Sequence, residues 1–329
     1  MKKGFWTSGK ILFWSVWLII LVLIWIFVIG IASHQPGSFF NKGHNAVWVG
    51  HEWVGSKKST KEIKNLIDNL RDKQIDTVFV HVGPLHDNGL IDGDTYEYVE
   101  YFLEKAGKFD SDIKFQAWLG QIRSKLDLSD AWVRHNVARE AMILGQMAGF
   151  DGIHFDIEPV WDGDKDFIQL LKETRELLPE DKKISVALSE FIPRTFIWMT
   201  EKVHKFENYN SQVNYKNVAK YADQIVLMAY DTGIKKGWMY RWLVREQTIW
   251  VTNLLDGKEL FIGIPAYESE NPDFDPSVEN VENGLLGIIE GLNNLRSEEK
   301  NFTGVAIYPY WEIGEEEWAV YRKLWLGEK

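Results

Sequence analysis

Cysteine is absent from this chain of 329 residues. Without a thiol there is no disulfide framework and no Cys-based zinc site, and the redox compartment is left undetermined. Positive charge is scarce as well: 37 Lys and Arg stand against 48 Asp and Glu, a net charge of -11 at pH 7. Binding a polyphosphate needs concentrated positive charge, so nucleic acid is not expected as a partner. No His-Glu-x-x-His run occurs, and His51, His81, His86 and His154 share no ligand spacing, so no metal site is expected. No low-complexity tract or second domain breaks the chain. What is present is apolar mass, 45% of all residues, enough for one domain of barrel size or two smaller ones.

Residues 11–32 form an uninterrupted run without a charge, long enough to cross the roughly 30 Å hydrocarbon core as a helix. Lys2, Lys3 and Lys10 precede it, so the positive-inside bias leaves residues 1–10 in the cytoplasm and sends the rest outward. The expectation is a single-pass membrane anchor carrying an extracytoplasmic domain. A cleavable signal peptide is the competing reading, supported by the small-x-small site Gly30-Ile31-Ala32. The run, however, exceeds the usual h-region of about 7–15 residues. Residues 33–45, containing Gln35-Pro36-Gly37-Ser38 and no periodicity, read as a tether. The domain is expected over 46–329.

From there β-rich apolar runs alternate with amphipathic stretches of helical spacing. Eight strands are expected, at 46–50, 77–82, 114–119, 152–158, 184–189, 224–230, 260–265 and 304–309, each followed by a helix. Ser59-Thr60 and Ser129-Asp130 are cap signals before two of those helices, and Gly149 is a stop signal. Eight such units predict an α/β fold, a closed (β/α)8 TIM barrel. An open doubly wound sheet is the alternative, but the first strand is followed by Gly50-His51-Glu52-Trp53 and not by a Gly-rich phosphate loop. No cofactor is expected.

In Asp151-Gly152-Ile153-His154-Phe155-Asp156-Ile157-Glu158 the even positions 154, 156 and 158 are ionisable and the odd positions between them are large and apolar. A strand sends alternate side chains to opposite faces, so His154, Asp156 and Glu158 point to one place. Burying three ionisable groups costs several kcal/mol unless they are paired or neutralised, and proton chemistry is a reason to bear that cost. The competing reading is a half-exposed strand with a solvated face. Barrel chemistry sits at the C-terminal strand ends. That rule adds His51, Glu52, Trp53, His81, Trp118, Glu190, Tyr230, Asp231, Tyr267, Glu268, Tyr308, Tyr310 and Trp311. Aromatic faces stack on sugar C–H faces and carboxylates bond to hydroxyls, so this rim suits an oligo- or polysaccharide. The plainer reading is that most of the aromatics seal the barrel top.

These residues resemble the family 18 glycoside hydrolases, chitinase-like barrels whose strand-four signature is Asp-Gly-x-Asp-x-Asp-x-Glu. The run at 151–158 matches it except at His154, where the family places Asp. Met228-Ala229-Tyr230-Asp231 is similar to the family's Met-x-Tyr-Asp, and Gly263-Ile264-Pro265-Ala266-Tyr267 to its Gly-x-Pro-x-Tyr. The strand-three stretch Ala117-Trp118-Leu119-Gly120 keeps little of the family's Ser-x-Gly-Gly.

The resemblance implies substrate-assisted hydrolysis of an N-acetylated glycan, in which the acetamido oxygen is the nucleophile. It implies Glu158 as general acid and then base, Asp156 as the group that orients the acetamide, Tyr230 as its hydrogen-bond partner, and Asp231 as a shaper of that subsite. His154 is then either protonated and holding Asp156 ionised, or neutral, acting as a donor or simply filling the barrel. Two rivals stand beside this reading: a two-carboxylate retaining glycosidase using Glu158 with Glu268 or Glu270, and a glycan-binding barrel without catalysis. Linkage, polymer and oligomeric state stay open.

Overall fold

The computed structural model describes residues 13–22, 34–191, 210–269 and 274–328. The chain divides into two compact units, Met1–Pro36 and Gly37–Lys329. In the first, residues 13–22 are helical and exposed throughout. The remainder of the expected anchor at 11–32 and all of the tail at 1–10 lie outside the described residues. Among the described residues no helix is long and apolar enough to cross a membrane.

The second unit starts at Gly37, earlier than the tether expected over 33–45 would place it. Gly37–Phe40 is a short helix with Phe40 buried. A Cβ on Gly37 would collide with the Leu324 carbonyl oxygen and come within 2.9 Å of Ile289. The absence of a side chain is what lets this segment lie against the last helices, contacts that local periodicity does not reveal. Asn45 then opens the first strand, its Oδ1 accepting from Trp325 Nε1 (2.9 Å) and Val305 N (3.2 Å).

Eight parallel strands close on themselves in chain order: β1 (Asn45–Val49), β2 (Ile75–Pro84), β3 (Lys114–Ile122), β4 (Gly152–Glu158), β5 (Lys183–Leu188), β6 (Gln224–Met228), β7 (Glu259–Pro265) and β8 (Phe302–Tyr308). β8 returns to β1 through Ala46 opposite Ala306 and Val47 opposite Ile307. The barrel expectation holds, and every expected strand is found. β6 stops at Met228, short of the expected Tyr230, because the backbone turns at Asp231 into the left-handed region with φ 59°. The expected caps are present too. Ser59 and Glu62 form a reciprocal capping box on Thr60–Asp72, and Asp130 accepts from Trp132 N to start Ala131–Met142.

Period-two alternation sorts the side chains into two cores. Ile153, Phe155 and Ile157 join the layer between strands and helices. Inside the barrel Ala46, Trp48, Phe79, Trp118, Val226, Phe261 and Ala306 form a separate cluster. Each large side chain so buried contributes about 1.5–3 kcal/mol. Below them Gln116 Nε2 donates to Gln224 Oε1 (3.1 Å), closing the floor with a polar pair. A filled floor leaves the C-terminal mouth as the open end.

Candidate active site

The inward face of β4 is a ladder whose rungs differ in environment. His154, the lowest, is wholly buried and stacked on Phe79 with ring centroids 3.9 Å apart. Trp48 Nε1 lies 3.1 Å from His154 Nε2, and an indole N–H can only donate, so Nε2 carries the lone pair. The proton therefore sits on Nδ1, which donates to Ser185 Oγ at 2.8 Å. Burial pushes the imidazole down to about 3, so it is neutral over the physiological range. Of the two readings of this departure from the family motif, the neutral, barrel-filling histidine is the one the geometry supports.

Asp156, one rung up, accepts from Trp118 Nε1 at 2.9 Å through Oδ2, while Oδ1 is buried and has no hydrogen-bond partner. Burial raises the carboxyl to about 6, the Trp118 N–H opposes that shift, and the charge of Asp231 adds to it. Glu158, at the top, is raised well above the usual carboxylate range, first by burial and then by Asp156, Asp231 and Glu190. Glu158 thus holds its proton more firmly than an ordinary carboxylic acid, the property a general acid requires. Glu190, at the end of β5, is pushed up to about 7 by burial and by Glu279 and Asp231.

The β6 and β7 side of the mouth is aromatic. Tyr230 stacks on Tyr308 at 5.6 Å and meets Tyr267 edge-on at 6.3 Å, and Met228 packs in the same cluster. Burial, followed by the neighbouring Tyr267, Asp156, Tyr308 and Glu158, raises the Tyr230 hydroxyl well above its usual range. Tyr267 donates its hydroxyl to Asp231 Oδ1 at 2.8 Å. Trp311 stands half exposed, edge-on to Tyr308 at 5.8 Å. His81 meets Trp118 edge-on at 4.7 Å from the neighbouring strand, and burial lowers it to about 4.

The fold therefore gathers Trp118, Asp156, Glu158, Glu190, Met228, Tyr230, Asp231, Tyr267, Tyr308 and Trp311 around one opening, whereas His154, expected among the substrate-contacting residues, is sealed in the barrel interior between Trp48, Phe79 and Ser185. Trp53 is a correction. It sits in the short helix Glu52–Gly55, against Phe102 at 6.1 Å and under the Lys58 ammonium at 5.2 Å, in the outer layer. The chain bends into that helix immediately after β1, so its ring turns away from the mouth. Glu268 is exposed, its backbone N–H donating to Glu312, and it is not among the carboxylates that act on Glu158. Glu270 lies outside the described residues. No group of three or more His, Asp or Glu suited to a metal occurs among the described residues.

One residue of the site went unnoticed in the sequence. Glu279 is fully buried and accepts from the Thr232 N–H (3.1 Å) and hydroxyl (2.7 Å), pinning the turn that presents Asp231. Glu279 and Thr232 lie 47 residues apart, and neither belongs to a motif or periodic run, so only the folded chain pairs them.

The sequence matches Glycosyl hydrolases family 18 over residues 51–321. No curated protein matches it. Among solved structures, the Bacillus cereus spore cortex-lytic enzyme SleL is similar with a TM-score of 0.59 at 12% identity, over 84% of this chain and 73% of that one. A chitinase from Chromobacterium violaceum ATCC 12472 gives 0.55 at 13% identity, over 87% and 99%. A family GH18 chitinase from Cycas revoluta, solved as a complex with allosamidin, gives 0.58 at 13%, over 85% and 98%. At such identities the structural likeness speaks for the barrel alone. The family match is different in kind, since it takes in β2 through β8 and the whole strand-four ladder, and on it this chain belongs to glycosyl hydrolases family 18 and is a glycoside hydrolase.

Proposed function

We propose that the enzyme cleaves an N-acetylated glycan by substrate-assisted, retaining hydrolysis. The observation that carries this reading is the state of Asp156: one oxygen is held by Trp118 and the other is buried and unpartnered, below a Glu158 whose carboxyl is raised well above the usual range. A buried acceptor without a donor costs about 1–3 kcal/mol, a cost that an acetamide N–H at the same spot removes. Hydrogen-bonded there, the acetamide turns its carbonyl oxygen toward the anomeric carbon.

In the first step that oxygen forms a bond to the anomeric carbon while Glu158 gives its proton to the departing glycosidic oxygen, leaving an oxazolinium ion and an ionised Glu158. Asp156 balances the positive charge on the ring, and the Tyr230 hydroxyl donates to the acetamide. In the second step Glu158 takes a proton from water, the water oxygen replaces the acetamide at the anomeric carbon, and configuration is retained. The Cycas revoluta chitinase has also been solved in complex with (GlcNAc)3, which supports oligomers of this sugar as the first substrates to try.

The deciding experiment compares a chito-oligosaccharide with its fully deacetylated counterpart. Turnover is expected only of the acetylated one, and equal cleavage of both sinks the acetamide mechanism. In the same assay Glu158→Gln is expected to lower turnover by roughly two to four orders of magnitude while oligosaccharide binding persists.

We further propose that the N-terminal run anchors the domain outside the cell membrane. The support is the charge-free stretch over 11–32 with Lys2, Lys3 and Lys10 before it, and the exposure of Phe13, Trp14, Trp17 and Leu18 on the described helix. An exposed row of large apolar side chains is unfavourable in water and favourable in lipid.

A further inference from the structure

The loops after β2, β3 and β4 enclose a groove that none of the roles above uses. Its inner part has a volume of about 370 Å³ and is lined by Arg123, Lys125, Asp127, Trp161 and Asp166. It shares Asp87, Ser124 and Lys125 with an outer part of about 510 Å³ that runs along Leu85 and His86. Strand register fixes where the groove begins. Ile122, the last residue of β3, pairs with Glu158, the last of β4, so Arg123 begins the loop after one strand and Trp161 lies on the loop after the other.

Trp161 is 47% exposed, yet its ring is not free to wander. The Arg123 guanidinium lies 4.6 Å from the ring centroid. Arg123 is itself buried and ion-paired to Asp164. Asp164 in turn accepts from Asp166 N (3.1 Å) and Phe167 N (3.0 Å) as the cap of the helix Lys165–Leu177. A cap, a buried ion pair and a cation–π contact thus hold the indole still where it lines the groove. The Arg123 Nε is buried without a hydrogen-bond partner.

We propose that this groove is an additional sugar subsite, with Trp161 as the stacking platform, for a neutral or amino-bearing ring of an oligosaccharide that reaches past the catalytic carboxyls. This rests on the glycan reading above and extends it. A fixed aromatic face amid carboxylates matches the C–H face and hydroxyls of a sugar ring. The charge selects further. Asp164 takes up the Arg123 charge, which leaves Lys125 facing Asp87, Asp127 and Asp166. Sugars that carry a carboxylate or phosphate are repelled, and a deacetylated glucosamine is accepted.

The test uses isothermal titration of the full chain carrying Glu158→Gln, with chitobiose and chitohexaose as probes. The hexaose is expected to bind at least about tenfold tighter than the biose. Trp161→Ala is expected to bring that ratio close to one, and Trp161→Phe, which keeps a flat ring, to restore most of it. A ratio that Trp161→Ala leaves unmoved overturns the subsite while the glycan reading stands. A ratio that Trp161→Phe fails to restore also overturns it, since the indole then serves the loop and not the ligand. Absence of any binding to the Glu158→Gln chain overturns both.

Discussion

His154, Asp156 and Glu158 share a strand and a face, yet each is tuned differently. The histidine has two partners and no charge, the aspartate has one donor, and the glutamate is pressed upward by burial and by three acidic neighbours. Such tuning works against stability. Glu190, raised to about 7 by burial, holds its proton more tightly in the folded chain than in the unfolded one. Below about pH 4 both states are protonated and nothing is lost. As pH rises from about 4 through 7 the unfolded chain releases the proton first, so folding stability falls over that window. With allowance for partial exposure the loss is about 2 kcal/mol. Glu190→Gln removes the ionisation, so it is expected to raise the melting temperature near pH 8 and to leave it unchanged near pH 4. Equal melting temperatures for both proteins near pH 8 would mean that Glu190 is not held protonated by its surroundings.

Among the elements, β6 and β7 show how a motif encodes spacing between strands. Gly263 stands opposite Met228, and a Cβ there would lie 2.9 Å from Tyr230 Cε1 and 3.1 Å from the Leu227 carbonyl oxygen. The glycine of Gly-Ile-Pro-Ala-Tyr is therefore what allows the Tyr230 ring to lie against the wall of the barrel and stack on Tyr308. Gly263→Ala must push that ring toward the substrate. It is expected to lower turnover roughly tenfold to a hundredfold through misplacement of the phenol, at a stability cost of about 1–3 kcal/mol. Steady-state kinetics beside a denaturant curve separates the two effects, and wild-type turnover in this variant would show that Tyr230 needs no fixed position. The turn after β6 follows the same logic at longer range, since Asp231 adopts a left-handed backbone within a turn fastened by the buried Glu279.

At the scale of the whole molecule the anchored arrangement is open to a direct test. Full-length chain expressed in cells is expected to sediment with membranes and to be released by detergent, whereas a chain starting at Gly37 stays soluble and folded. Recovery of the full-length chain in the soluble fraction would defeat the anchor. What the sequence by itself determined is whatever depends on neighbours in the chain. Alternation in β4 set which side chains face inward, capping residues set the starts of the helices Thr60–Asp72 and Ala131–Met142, and eight βα units set the closed barrel. Tertiary structure decided whatever depends on residues far apart in the chain. The tautomer of His154 follows from Trp48 and Ser185, the start of the domain from Gly37 against Leu324, the turn at Asp231 from Glu279, and the outward lie of Trp53 from Phe102. The physical reason is that hydrogen bonds, desolvation and close packing act through space, and a linear pattern registers only those contacts whose partners recur at the period of a strand or a helix.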